Sequence, residues 1–310
     1  RNATDNPNDF AETRGGFFKL QDAWVRQQLN DYWSVRGGQF KLPFNREELV
    51  SPAGQLAVER SLINEVLNVG RSQGFELGYE DDVHRFTIAF SDGAEGNVGG
   101  LLGNQNVVPT DPRNTGALVQ DTEWALSTRY ERLISGNWQQ FRDFTSPYDE
   151  PFGLLVGVAG HGQRSEANNS GSTEIQWYSA TVDVSAEWGG ANAFVGFTYS
   201  YVDRQGLDPF EQYGLVAQGG VKITPKWEVF GRYEHGWWEA NPPFVRSELN
   251  VLTTGVIYYM DGHDLKWTTD VGVAFSQVED AFTSQLAGYR NDREDAVPQI
   301  VFRTQFQLLF

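Results

Sequence analysis

From Glu76 to the C-terminus one phrase recurs: about ten to fourteen residues of alternating apolar and polar side chains, then a break rich in Gly, Asn, Asp or Pro. In YSATVDVSAEW, Tyr178, Ala180, Val182, Val184, Ala186 and Trp188 share one face, and Ser179, Thr181, Asp183, Ser185 and Glu187 the other. KWEVFGRYE sets Trp227, Val229, Gly231 and Tyr233 against Lys226, Glu228, Arg232 and Glu234. LKWTTDVGVAF sets Leu265, Trp267, Val271 and Val273 against Lys266, Thr268, Asp270 and Ala274. Successive side chains of an extended backbone point to opposite faces, so each run is a strand with one surface suited to hydrocarbon and one suited to water.

Soluble sandwiches also alternate, but their strands usually run to about five or six residues. Strands of roughly twice that length match the 9 to 11 tilted residues that cross a bilayer. Trp124, Tyr130, Trp177, Trp188, Tyr201, Trp227, Tyr233, Tyr259 and Trp267 lie near strand ends, as interfacial girdles do. The pattern predicts an all-β, transmembrane antiparallel β-barrel. Its competitor, a soluble β-rich binding protein, predicts a chain that stays in solution without detergent.

Composition fits the barrel. The 310 residues suit one barrel domain spanning 1–310. The absence of Cys removes disulfides, thiol catalysis and thiolate metal sites. Mean hydropathy is -0.46, but a barrel shows lipid only every second residue, so a low average is expected. The longest apolar run, FGLLVGVAG, falls well short of the roughly 20 residues of a membrane helix. A net charge of -17 argues against nucleic acid as a partner. The polar start RNATDNPNDFAE is not a secretory signal, so an export signal is expected upstream or already removed.

About thirteen strands are predicted, near 14–26, 31–42, 73–80, 83–91, 120–133, 151–160, 174–188, 191–203, 212–223, 226–237, 249–260, 264–275 and 297–310. Bacterial single-chain barrels have even numbers of strands, short periplasmic turns and longer outer loops. Counting back from a periplasmic C-terminus, short and long connections alternate, with 134–150 as a long connection where a short one is due. The parity predicts an odd number of strands before residue 1.

One segment breaks the pattern. Between VRGGQFKLPF and GFELGYE, the residues Leu62, Ile63, Val66 and Leu67 recur at helical spacing, after a Ser51-Pro52 pair that suits a helix start. A helix in a barrel loop must bury its apolar face, and the available concavity is the lumen. GGQFKLPFNREELVSP, with ERS at Glu59 to Ser61 and GRSQG at Gly70 to Gly74, resembles the phosphate-selective porin O and P family of Gram-negative outer membranes. The resemblance implies a sixteen-stranded and typically trimeric barrel, integral to the outer membrane. Its third outer loop, here residues 44–71, would fold inward as the constriction. On that mapping strand 14–26 is the fourth, in agreement with the parity.

The resemblance and the alternation together nominate Lys41, Arg46, Glu47, Glu48, Arg60, Glu65 and Arg71 on the constriction and its flanks. Arg85, Arg129, Arg232, Lys266 and Arg303 are nominated on the wall, with Lys222 and Lys226 as further inward bases. Inward acids are at least as numerous: Glu76, Glu80, Glu123, Glu131, Asp183, Glu187, Glu228, Glu234 and Asp270. Each charge has a plainer reading, wall solvation or a cross-strand pair. A phosphate channel should show a basic ladder, and this balance departs from it.

The expected function is passive diffusion of small hydrophilic solutes or ions, including anions such as phosphate, with no cofactor, no metal and no catalytic residue. The alternative is a plugged barrel serving structure or surface attachment. No G-x-S-x-G, P-loop or H-E-x-x-H motif occurs, although barrel hydrolases do place Ser and His on adjacent strands. Expected partners are outer-membrane lipid and lipopolysaccharide, two further copies in a homotrimer, and the barrel-insertion machinery. The last would be reached through the terminal strand FRTQFQLLF, which ends on Phe310.

Overall fold

The computed structural model describes residues 22–94, 121–166, 174–206, 208–239, 246–278, 287–289 and 298–309. Among them thirteen strands form one antiparallel sheet in which each strand pairs with its neighbours in sequence. They are β1 (Ala23–Gln28), β2 (Trp33–Lys41), β3 (Arg71–Glu80), β4 (His84–Ser91), β5 (Asp121–Ser135), β6 (Gly153–Glu166) and β7 (Ile175–Trp188). The remainder are β8 (Ala191–Arg204), β9 (Phe210–Thr224), β10 (Trp227–Glu239), β11 (Arg246–Asp261), β12 (Leu265–Ala274) and β13 (Gln299–Leu308). Helices α1 (Arg46–Leu49) and α2 (Leu62–Leu67) lie between β2 and β3. Each predicted strand has an observed counterpart with slightly shifted ends. Residues 14–21 of the first, and Phe310, fall outside the described residues.

Burial follows the alternation, with the chemistry of a soluble protein reversed. Along β7 buried and more exposed positions alternate without a break. Val182 is 46% exposed, whereas its neighbour Asp183 is 2% exposed. Val158, Val195 and Phe302 are likewise exposed, while Glu131, Glu234 and Asp270 are buried. An apolar outer face around a polar interior is what a bilayer selects. No helix among the described residues is long and apolar enough to cross a membrane; the strands do that here.

Tight turns join the strands at one end. Between β7 and β8, Gly189 and Gly190 both have positive φ, 48° and 85°, the requirement of a two-residue turn that matches strand twist. Between β3 and β4, the Asp81 carboxylate accepts hydrogen bonds from Tyr79 Oη at 2.7 Å, Val83 N at 2.8 Å and His84 N at 2.6 Å. These bonds, that of Tyr79 foremost, hold the carboxyl down at about 2.

At the opposite end the chain leaves β2 and turns inward. Residues 42–70 then reach most of the sheet. Phe44 O accepts from Arg129 on β5, Arg46 donates to Ser185 on β7, and Asn45 Oδ1 accepts from Thr198 on β8. Leu62 N donates to Glu234 on β10, and Val58 N to Asp270 on β12. One short segment can touch strands from β5 to β12 only if the sheet curls around it. The apolar side of the segment, Val50, Leu56, Leu62, Ile63, Val66 and Leu67, packs with Phe194, Val216, Leu249, Val251 and Ile257 from the inner wall in one buried cluster.

Candidate functional site

The inward segment is built on local capping and then tied to the wall by charge. Ser51 does not open the helix that its Ser-Pro pair suggests. Its Oγ accepts from Ala53 N at 3.3 Å, capping a single 3₁₀ turn, Pro52–Gly54, after which Gln55 is extended. The helix α2 starts ten residues later, where Ser61 Oγ accepts from Asn64 N at 2.9 Å. That hydroxyl also donates to Glu47 Oε2 at 2.6 Å, while Ser61 N donates to Glu47 Oε1 at 2.7 Å. Glu47 from α1 thus satisfies a backbone donor of the α2 cap, which explains why the helix begins there.

The nominated wall bases are engaged with carboxylates and with loop carbonyls. Arg129 donates to Asp183 through two nitrogens at 2.8 and 2.9 Å, to Glu131 at 3.0 Å and to Phe44 O at 2.8 Å. Arg232 donates to Glu234 at 2.9 Å, Glu59 O at 2.8 Å and Arg60 O at 3.3 Å, with Glu47 at 3.8 Å. Lys266 Nζ donates to Ala53 O at 2.7 Å and Gln55 O at 3.1 Å. Arg303 pairs with Asp270 at 2.7 Å and donates to Ala287 O at 3.2 Å. Arg46, itself buried, reaches Ser185 at 2.8 Å and Phe141 O at 2.7 Å, with Glu131 at 4.0 Å. Arg85 sits nearer the short turns, paired with Glu80 at 2.9 Å and Glu131 at 3.3 Å, its guanidinium 4.2 Å from the Trp138 ring centroid. Of the further bases, Lys222 lies 4.3 Å from the Tyr259 ring centroid, and Lys226 is exposed in the turn before β10.

A second group forms a rim beside β1–β3. Glu48 Oε1 faces Lys41 Nζ at 3.2 Å and Arg71 Nη1 at 3.9 Å, and its Oε2 faces Arg60 Nε at 3.4 Å. Asn64 Nδ2 donates to the same Oε2 at 3.1 Å. Arg71 also meets Asp22 at 3.3 Å, and Arg36 pairs with Glu76. Unlike Arg129 and Arg232, whose side chains are 2% exposed, the bases of this rim keep 15–17% exposure. Glu65 lies near them on α2. Burial first, then the Glu48 charge, push its carboxyl up to about 7, with Arg60 opposing.

Sequence reading found the charged residues but not their partners, and it missed the role of 134–150. This segment runs back along the inward one. Phe144 N donates to Gly54 O at 3.1 Å, Arg46 is bonded to Phe141 O, and Trp138 Nε1 donates to Asp81 O at 2.6 Å. Asp143 Oδ2 lies 3.5 Å from His263 Nε2, and His263 Nδ1 donates to Ala53 O at 3.0 Å. Burial would raise the Asp143 carboxyl, but the His263 contact holds it below its ordinary value. The long connection at the short-turn end is therefore a brace for the inward segment. The cue in the sequence was its aromatic content, Trp138, Phe141 and Phe144, in an otherwise polar stretch.

One Ser–His contact does bridge adjacent strands: Ser127 Oγ on β5 and His161 Nδ1 on β6 are 2.8 Å apart. Ser127 is fully buried, and His161 Nε2 faces the Gln163 amide at 3.1 Å, a neutral group in place of an orienting carboxylate. The His161 ring also stands edge-on to Trp177, with centroids 5.3 Å apart.

A family model described as phosphate-selective porin O and P matches residues 2–277. The chain belongs to this family. As a family member with a barrel fold it is an integral protein of the outer membrane. A curated relative, an uncharacterized protein of Aquifex aeolicus (strain VF5), is 24% identical over 275 residues, which cover 82% of this chain and 62% of the relative. The family member thus spans less than two thirds of that relative's length. Among solved structures, the in-vitro folded OmpT of Vibrio cholerae in its trimer form aligns with a TM-score of 0.51 at 10% identity, over 89% of this chain and 77% of that one. A second in-vitro folded OmpT structure aligns at 0.50 and 11%, over 80% and 76%. At these identities the likeness is one of fold, that of an outer-membrane barrel.

Proposed function

We propose that this porin-family chain is a single barrel domain, 1–310, that supplies most of a passive outer-membrane diffusion channel for small hydrophilic solutes, with residues 44–71 as its constriction. The observation that carries the reading is the unequal treatment of the lumen bases. Arg129, Arg232 and Lys266 are spent on holding the inward segment and Arg303 on Asp270 and the Ala287 carbonyl, whereas Lys41, Arg60 and Arg71 remain partly exposed on its rim. Fixed charges at a narrow, low-dielectric passage set ion preference, and Lys41, Arg60 and Arg71 outnumber the carboxylates that face them, Glu48 and Asp22, so the channel prefers anions. No chemical step is involved. Assembly as a homotrimer, contact with lipopolysaccharide and delivery through the Phe310-terminated strand complete the reading.

A plugged barrel is the second reading, because the inward segment packs closely against β8 and β9. The cavity between Asn45, Glu47, Ile63, Asn64, Phe194 and Val216 measures about 10 Å³, room for about one water molecule. Single-channel recording in a planar bilayer with a salt gradient separates the two. Stepwise openings with an anion-directed reversal potential are expected, whereas correctly folded protein that leaves the membrane silent would promote the plugged barrel.

A further inference from the structure

We infer that Glu48 is a built-in counter-anion. It occupies a cradle made by Lys41, Arg60, Arg71 and Asn64, and a passing anion must exchange with it. This rests on the channel reading for its physiological meaning but not for its chemistry. The Glu48 carboxylate accepts a hydrogen bond from Asn64 Nδ2 at 3.1 Å and is ion-paired with Lys41 Nζ at 3.2 Å, Arg60 Nε at 3.4 Å and Arg71 Nη1 at 3.9 Å. Three positive charges and an amide donor converging on one carboxylate is also a donor set for a free oxyanion.

Two features separate this arrangement from a purely structural ion pair. The first is that the cradle does not depend on the carboxylate for its shape. Arg60 is held by the carbonyls of Glu47 at 3.1 Å, Val50 at 3.0 Å and Glu48 at 3.4 Å, and Lys41 also donates to Glu48 O. Arg71 is held from its other side by Asp22 at 3.3 Å. Removing the side-chain charge of Glu48 leaves all of these in place. The second is access. The side chains of Lys41, Arg60, Arg71 and Glu48 keep 11–17% exposure, whereas those of Arg129 and Asp183 keep 2%. The rim thus meets solvent where the Arg129–Asp183 pair does not, as exchange of the carboxylate for an incoming anion requires. Conduction needs sites that bind weakly enough to release, and a tethered competitor lowers apparent affinity without removing the bases that attract the ion.

The test is calorimetric titration of inorganic phosphate into detergent-refolded wild type, Glu48→Gln and Glu48→Asp, each first checked for folding by heat-modifiable gel mobility, followed by phosphate block of the chloride current in bilayers. Glu48→Gln empties the cradle of its own charge and is expected to bind phosphate at least about tenfold tighter, the worth of about one charge-assisted contact. Glu48→Asp keeps the charge but withdraws the oxygens by about 1.5 Å, and is expected to fall between the two. Equal phosphate affinity in wild type and Glu48→Gln overturns the inference. So does Glu48→Asp behaving as wild type, since net charge and not occupancy would then be at work. If Glu48→Gln does not fold, tighter binding by Glu48→Asp than by wild type supports the inference and equal binding overturns it. Tighter binding in the variants with no current from any of the three would retain the cradle and discard the channel.

Discussion

Arg129 and Asp183 meet two-on-two across an intervening strand: Nη1 lies 2.8 Å from Oδ2 and Nη2 lies 2.9 Å from Oδ1. Their strands, β5 and β7, are separated by β6, whose Gly157 is in register with both Glu131 and Asp183. A Cβ at Gly157 would collide with the guanidinium and the carboxylate together. The glycine is thus a gap in the wall through which the pair closes, and Arg129 then holds Phe44 O at the start of the inward segment.

Gly157→Val is therefore expected to force the pair apart, and Asp183→Asn to leave Arg129 short of a full counter-charge. Breaking a buried pair from one side costs about 3 kcal/mol or more. Urea unfolding from detergent micelles should show both variants unfolding at lower denaturant, while Val182→Ala on the exposed face changes little.

Arg232→Lys keeps the charge but cannot bond Glu234, Glu59 O and Arg60 O at once. The expected result is a folded barrel with a looser segment around residues 59–60, read as greater open-channel noise and faster amide exchange in α2. Unchanged exchange would show that the segment is held by its apolar packing.

Ser61→Ala removes the acceptor for Asn64 N and the donor to Glu47 Oε2. Losing a cap costs about 1 kcal/mol, and a buried carboxylate deprived of one hydrogen bond adds about 1 kcal/mol more. Ser61→Thr, which keeps the hydroxyl, should recover most of the loss in the same unfolding assay.

Glu65 supplies a pH dependence. Its folded value of about 7 lies above its ordinary 4.5, so the fold favours the neutral acid. The stability from this group is whole below about 4.5 and declines as pH rises to about 7. Ionisation also adds a negative charge beside Arg60 and Glu48, so the reversal potential should move toward cations across the same window. Glu65→Gln should flatten both trends, and a wild-type profile that is already flat between pH 5 and pH 8 would refute the assignment.

The thirteen strands were legible because side-chain direction in a strand is a local property with a period of two. Tyr178 to Trp188 announce their two faces whatever else the chain does, and the burial of Asp183 beside the exposed Val182 follows directly. Local chemistry was also enough to mark Leu62 to Leu67 as helical. It misplaced the start at Ser51, because Ser-Pro opens any helical turn, and the choice of Ser61 depends on Glu47 arriving from another helix.

The sequence by itself determined the alternation of the two faces and that a helix had to find burial, but Trp177 and Tyr259, expected in the girdles, are buried on the inner face, and Lys226, expected inward, lies exposed in a turn. Only the tertiary structure decided which inward charges are used up. Arg129 and Asp183 are 54 residues apart, and Lys266 meets Ala53 O across 213 residues. No local pattern encodes such pairings, because they follow from how the sheet curls and where the inward segment comes to rest. Electrostatic energy changes over a few ångströms and with exposure to water. Lys41 and Arg129 are both bases one strand-face away from the lumen, yet one stays on an accessible rim and the other becomes part of the frame.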